Sequence, residues 1–319
     1  MAAVPTGFVF TPVILLLSSA HMRAAAILGL GCSPRELKPF QAASPIDWRI
    51  GMPRPGDADV ILLFGGDGTI HRHLGQLVSL DLPVLIVPAG SGNDFATSLG
   101  LGRVRASLSA WTKFLADASN VRAIDLGVIT QLGQESTRDS LLAIRYYCCV
   151  AGVGIDAAVA ERANRMPRWL RGNGGYALSL LPAMFTFAAF PLKIQVPSDV
   201  PGTDGQWTTR SDKPTLIAAF ANTPLYGGGM KIAPQAKMDD GLLDVCVVGG
   251  VHPVKLFSVF PTVYAGRHLG IKEVEYFQAA RLRVETEHPM EVYADGEFVC
   301  RTPIEVAIQS AAMRVIVPD

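Results

Sequence analysis

Ala58-Asp59-Val60-Ile61-Leu62-Leu63-Phe64-Gly65-Gly66-Asp67-Gly68-Thr69-Ile70 is the stretch on which the reading of the whole chain turns. Its five consecutive apolar residues, 60–64, lie between Asp59 and a glycine cluster and predict a strand buried on both faces. A sharp turn must follow, and Gly65, Gly66 and Gly68 allow the crowded or left-handed backbone that such a turn needs. Thr69 is expected to cap the helix behind it, which leaves backbone N–H groups facing an anion. A carboxylate in that turn, Asp67, makes chemical sense where Mg²⁺ or a ribose hydroxyl lies between it and a phosphate. An ordinary tight strand-to-helix turn would use the same residues, so the stretch alone names no ligand.

A second stretch repeats the pattern. Leu82-Pro83-Val84-Leu85-Ile86-Val87-Pro88 reads as another short apolar strand and runs into Ala89-Gly90-Ser91-Gly92-Asn93-Asp94-Phe95-Ala96. Two adjacent parallel strands would bring both loops to one carboxyl edge, where open α/β sheets bind ligands. Gly65-Gly66-Asp67-Gly68-Thr69 followed by Gly90-Ser91-Gly92-Asn93-Asp94-Phe95 resembles the diacylglycerol kinase catalytic-domain family. That family includes sphingosine and ceramide kinases and soluble bacterial lipid kinases. The first motif also occurs in NAD kinases and phosphofructokinases; the pair at this spacing is the specific signal. The resemblance implies an α/β fold: a Rossmann-like, NAD-kinase-like nucleotide domain followed by an antiparallel β-sandwich domain. It also implies ATP held by Gly65, Gly66, Asp67, Gly68, Thr69, Gly90, Ser91, Gly92, Asn93 and Asp94.

The bulk properties agree with an enzyme of two ordinary domains. The chain has 319 residues and 34.1 kDa, 49% hydrophobic and 18% charged, which describes packed cores rather than disorder. Lys+Arg and Asp+Glu are both 28, so net charge gives no argument for nucleic acid. Cys32, Cys148, Cys149, Cys246 and Cys300 form no C-x-x-C pair and read as reduced, buried thiols. His71 and His73 are two apart on a predicted helix, poor spacing for a shared metal. No Gly-x-x-x-x-Gly-Lys-Ser/Thr sequence occurs, which excludes a P-loop mechanism.

In chain order, residues 1–21 form an apolar extension that resembles a signal peptide but has no basic residue before it. A start assigned too early is the preferred explanation. Residues 23–31 read as the first strand. The relatives carry an Asn-Pro motif after this strand, where this chain has Gly31-Cys32-Ser33-Pro34. A second departure is His71-Arg72 in place of Asn-Glu. Residues 34–55 suggest an abbreviated strand–helix unit, and 101–118 an amphipathic helix that closes the first domain, set at 22–122. The second domain, 123–319, begins with strands, and its last segment is open to a return into the first. Gly152-Val153-Gly154-Ile155-Asp156-Ala157 fits the dinucleotide spacing but lacks the third strand and terminal acid, and is discounted. Arg162, Arg165, Arg168 and Arg171 beside the apolar run 176–190 suit either a solvated face or docking on anionic lipid.

The last functional segments rest on the resemblance. In soluble bacterial relatives the Asp-Gly-Leu turn holds a structural Mg²⁺. Carried over, this implies the Asp240 carboxylate with the backbone carbonyls of Lys237 and Leu242, hard oxygen donors suited to such an ion. Val292-Tyr293-Ala294-Asp295-Gly296-Glu297-Phe298 is a type I′ hairpin on turn chemistry alone. The family reading makes Asp295 the general base and Glu297 its orienting neighbour. The expectation is thus an ATP- and Mg²⁺-dependent lipid kinase that meets its lipid at a membrane surface from the cytoplasm, with self-association left open. Two rivals stand beside it: an NAD kinase-like enzyme, and a lipid-binding protein with weakened catalysis.

Overall fold

The computed structural model describes residues 22–43, 46–133, 145–155, 159, 183, 185, 187–198 and 205–318. The basic residues 162–171, most of the apolar run behind them and the extension 1–21 lie outside these.

The first half is a parallel sheet in the order β2-β1-β3-β4, made of Arg23–Leu28 (β1), Asp47–Ile50 (β2), Val60–Gly65 (β3) and Val84–Pro88 (β4). β3 and β4 are buried along their whole length, as near-continuous apolar runs must be when helices cover both sheet faces. Asp67–Leu80 (α2) buries Ile70, Leu74 and Leu77, one stripe at helical spacing. The helix starts three residues earlier than a Thr69 cap would place it: Gly66 is the N-cap, in extended backbone, and Thr69 lies within the first turn. Pro34–Gln41 (α1), Asp94–Ser98 (α3) and Val104–Asp117 (α4) complete this half. Trp111 of α4 is fully buried, donates to Phe40 O at 3.1 Å and packs on Trp48 of β2. The unit after β1 is short but complete. The connection that lacks a helix is the next one, residues 51–59 between β2 and β3. Parallel crossovers normally need a dozen or more residues, so this bare one leaves a flank of α2 uncovered.

The second half is antiparallel: Val121–Gln131 (β5), Arg145–Tyr147 (β6), Val150–Gly154 (β7), Phe190–Pro197 (β8), Trp207–Ala221 (β9), Leu243–Gly249 (β10), Val274–Ala279 (β11), Arg281–Thr286 (β12), Glu291–Ala294 (β13), Glu297–Arg301 (β14) and Ile304–Ile316 (β15). Two short helices, Pro253–Val259 (α5) and Pro261–Tyr264 (α6), lie between β10 and β11. Gly152 and Gly154 sit inside β7, paired with Ala219 and Ile217 of β9, not in a dinucleotide turn. β15 ties the halves together. It pairs antiparallel with β5 and β12, and its end returns beside β4, with Val315 opposite Val84 in parallel register. One apolar cluster fills the parallel half and continues into the antiparallel half through residues such as Val150, Ala219 and Cys246; a second lies within the antiparallel half, built on Ile194, Phe220, Val245 and Val306.

Candidate active site

Because Gly65 and Pro88 are level in the sheet, the two glycine loops leave β3 and β4 side by side. Their contact is backbone on backbone. A Cβ on Gly90 would stand 2.4 Å from Gly66 Cα, and one on Gly66 would stand 2.4 Å from Gly92 O. Asp67 N–H donates to Gly92 O at 3.2 Å. The Asp67 carboxylate in turn accepts from Asp94 N at 3.1 Å and Phe95 N at 3.1 Å, capping α3. Asn93 closes its own loop through Nδ2 to Gly90 O and Gly90 N to Oδ1. Ser91 is exposed at the loop tip, and Thr69 packs beneath Gly65 and Gly29. Burial, then the nearby Asp94 and Asp295 charges, push Asp67 up to about 7 despite its two N–H donors.

The carboxylates that follow in the chain point across to the second half. Asp94 accepts from Gly228 N at 2.8 Å, in the glycine turn of residues 227–229. Burial raises Asp94 above the usual carboxylate range, against the N–H bonds of Gly228 and Gly229. Asp125, 4% exposed, accepts from Gly241 N and from Ala311 N, each at 2.8 Å. It therefore pins the Asp-Gly-Leu turn to β15. Within that turn Asp240 is exposed and accepts from Leu242 N at 3.0 Å. The Asp240 carboxylate is a hard oxygen donor of the kind that suits a hard dication.

At the hairpin, Asp295 (φ 51°) and Gly296 (φ 85°) form the two left-handed residues of a type I′ turn. The Asp295 side chain is fully buried and His71 keeps 15% of its surface exposed. The carboxylate accepts from Cys148 N at 2.9 Å, Cys149 N at 2.8 Å and His71 Nδ1 at 3.0 Å. A carboxylate only accepts, so the proton of this last bond lies on Nδ1, leaving Nε2 to accept when the ring is neutral. Burial pulls His71 down, but the bond to Asp295 and the Asp295 and Glu297 charges outweigh it and raise the ring above its ordinary value. Glu297, two residues on, is exposed, and a Cβ on Gly68 would stand 3.1 Å from its Oε1. Thus a free carboxylate reaches the first turn of α2 while its neighbour is sequestered.

Sequence reasoning missed His71, the two Cys N–H groups and the 227–229 turn. One signal existed: His71 is four residues after Asp67, so the two share a helix face. Nothing local in Cys148-Cys149 foretold its role.

Two cavities adjoin the site. A cleft of about 680 Å³ runs along α2, lined by Arg54, His71, Arg72, Gln76, Arg145 and Tyr146. It borders the crossover that has no helix. An apolar cavity of about 90 Å³ is walled by α5 and α6 residues such as Leu256, Val259 and Phe260, together with Tyr226 and Met230. Tyr226 and Met230 bracket the glycine turn that bonds Asp94, so this cavity abuts the carboxylates.

A parallel sheet with paired glycine loops is thus joined to an antiparallel half whose hairpin brings Glu297 to those loops. The diacylglycerol kinase catalytic domain family matches residues 52–129, and the YegS C-terminal NAD kinase beta sandwich-like domain matches residues 149–317. A diacylglycerol kinase of Mycobacterium tuberculosis is 33% identical over 266 residues, 82% of this chain and 77% of that protein. A diacylglycerol kinase of Bacillus subtilis is 26% identical over 263 residues, 82% and 78% of the two chains. The crystal structure of a Bacillus anthracis diacylglycerol kinase superposes with a TM-score of 0.62 at 21% identity, covering 93% of this chain and 97% of that one. The chain belongs to the diacylglycerol kinase family of lipid kinases.

Proposed function

We propose that this protein transfers the γ-phosphoryl group of ATP to the hydroxyl of a membrane lipid, with the nucleotide phosphates seated on the paired glycine loops. The observation that carries this reading is convergence at the first turn of α2. The loops at residues 65–69 and 90–94, the buried Asp295–His71 pair and the exposed Glu297 all meet there. Phosphoryl transfer needs positioning and charge neutralisation more than covalent chemistry, and this arrangement supplies both. Main-chain N–H groups of the glycine loops hold the phosphates. Asp67 braces one loop against the other. The Asp240 carboxylate with the Lys237 and Leu242 carbonyls would hold a structural Mg²⁺, which would order the turn that Asp125 pins.

We assign the proton-accepting role to Glu297, not to Asp295. A general base must come within hydrogen-bond reach of the hydroxyl it activates. The Asp295 carboxylate is enclosed, with three donors already on it; Glu297 is exposed beside Gly68. Asp295 acts as a positioning residue that fixes the hairpin and His71.

The apolar cavity is read as the seat of an acyl chain. Val254, Phe257 and Tyr264, exposed on α5 and α6 around it, offer contact with a lipid surface. Among the described residues no helix is long and apolar enough to cross a membrane. Labelled ATP incubated with the protein, NAD and a total lipid extract should give one labelled lipid, whose identification names the acceptor. Labelled NADP instead, or no transfer at all while ATP still raises the melting temperature, would favour one of the two rival readings.

A further inference from the structure

The proposed chemistry uses the N–H groups of Cys148 and Cys149 but neither thiol. The sulfurs are buried and lie 4.0 Å apart, and Cys148 Sγ is 3.4 Å from Asp295 Oδ2. One ligand atom from each of the three residues lies within 4.8 Å of the other two. On a tetrahedral zinc with Zn–S about 2.3 Å, two thiolates stand roughly 3.8 Å apart, and a thiolate and a carboxylate oxygen about 3.5 Å. The 4.0 Å and 3.4 Å spacings are close to those of a formed site before any ligand moves. His71 Nδ1 lies 3.0 Å from the same carboxylate oxygen, and its ring is part-exposed at the cleft, which gives an entry path.

We propose that Cys148, Cys149 and Asp295 form a binding site for a thiophilic divalent cation of the zinc and cadmium type, and that filling it stops phosphoryl transfer. Binding itself is independent of the kinase reading; the inhibition rests on it. The cation replaces the two thiol protons, which leave for solvent through the cleft; no electrons move. Asp295 would then bond the metal instead of His71, and the hairpin carrying Glu297 would lose the contacts that position it. The hard-oxygen turn at Asp240 and this sulfur pair select opposite cations, so Mg²⁺ does not compete here. Burial pushes Cys149 up to about 12 and Cys148 well above its ordinary value, so in the empty site both wait as thiols.

The test is a cadmium titration of the reduced full chain in excess Mg²⁺, read by thiolate-to-cadmium ultraviolet absorption. The expected result is a band that saturates at one equivalent, is lost in Cys148→Ala and in Cys149→Ala, and persists in Cys32→Ser. One equivalent of zinc should lower turnover about tenfold or more in the wild type and leave either alanine variant's own rate unchanged. Should those variants fail to fold, zinc-edge X-ray absorption on the wild type reads the ligands directly, with two sulfurs per zinc expected. No band in folded wild type, a band surviving Cys149→Ala, or fewer than two sulfurs overturns the site. The band appears whether or not the protein turns over lipid, so failure of the kinase reading is seen separately.

Discussion

The phosphate loops and the β13–β14 hairpin are both glycine turns that carry an aspartate, yet they are assembled in opposite ways. Asp67 finds its partners 27 and 28 residues away, in the next strand-to-helix loop of the same sheet. Asp295 finds its partners 147 and 224 residues away, on elements that only the completed fold brings near. The first turn is therefore written into local spacing. The second is an ordinary hairpin until tertiary structure gives its carboxylate two N–H groups and an imidazole. The contrast teaches that the same Asp-Gly chemistry does not identify which aspartate is free to react.

The largest effect is expected where the two loops touch. Gly90→Ala places a methyl against Gly66 backbone, which cannot swing aside, and should cost about 3 kcal/mol or more. Urea unfolding measures it. A variant as stable as wild type would mean the loops do not lie back to back.

Next come the two hairpin carboxylates, whose predicted behaviours diverge. Glu297→Gln should lose ~100-fold or more in turnover with an unchanged melting curve, the signature of a lost general base on an exposed side chain. Asp295→Asn should lose turnover and also about 2–4 kcal/mol of stability, because an amide cannot satisfy three buried donors. Steady-state rates paired with melting curves decide between them. If Asp295→Asn melts normally and Glu297→Gln turns over normally, the roles assigned here are reversed.

A third effect separates the aspartates by pH. Asp67 has its folded pKa raised to about 7 from 3.8, so the folded state binds a proton that the unfolded chain has released. Its contribution is fully present below about pH 4 and is lost as pH rises toward 7 and above. His71, also raised, acts in the same direction at the upper end, its share disappearing as pH climbs through its elevated pKa. The melting temperature of wild type should therefore fall across this window relative to Asp67→Asn, which removes the larger slope. Parallel curves for the two proteins would show that Asp67 is not buried as a titrating group.

The smallest effect concerns the exposed metal turn. Chelation should lower the melting temperature of wild type by a few degrees and leave Asp240→Asn unmoved, since only a ligand bound to the folded state adds stability. Equal responses in both proteins would place the metal elsewhere or nowhere.

Much of the first half was legible because parallel strands buried on both faces are continuous apolar runs, and residues 60–64 and 84–88 have no other reading. The helix start was misplaced by three residues because Thr69 looks like a cap, whereas Gly66 fills that role through backbone geometry alone. The long strands β9 and β15 were harder. Arg210, Lys213 and Glu275 pair on the outer face of the sandwich, and such polar ladders interrupt the apolar alternation that marks a strand.

By itself, the sequence determined the class of the protein: two glycine turns at fixed spacing behind apolar strands, and the acidic turns that follow them. These features depend on backbone conformation and local burial, which neighbouring residues dictate. Only the tertiary structure decided that Asp295 is enclosed, that Glu297 is free, that His71 joins them and that two thiols stand beside them. Those facts depend on contacts across more than a hundred residues, made when β7, β13 and α2 come together. No local pattern records such contacts, because the partners are backbone N–H groups that every residue but proline carries.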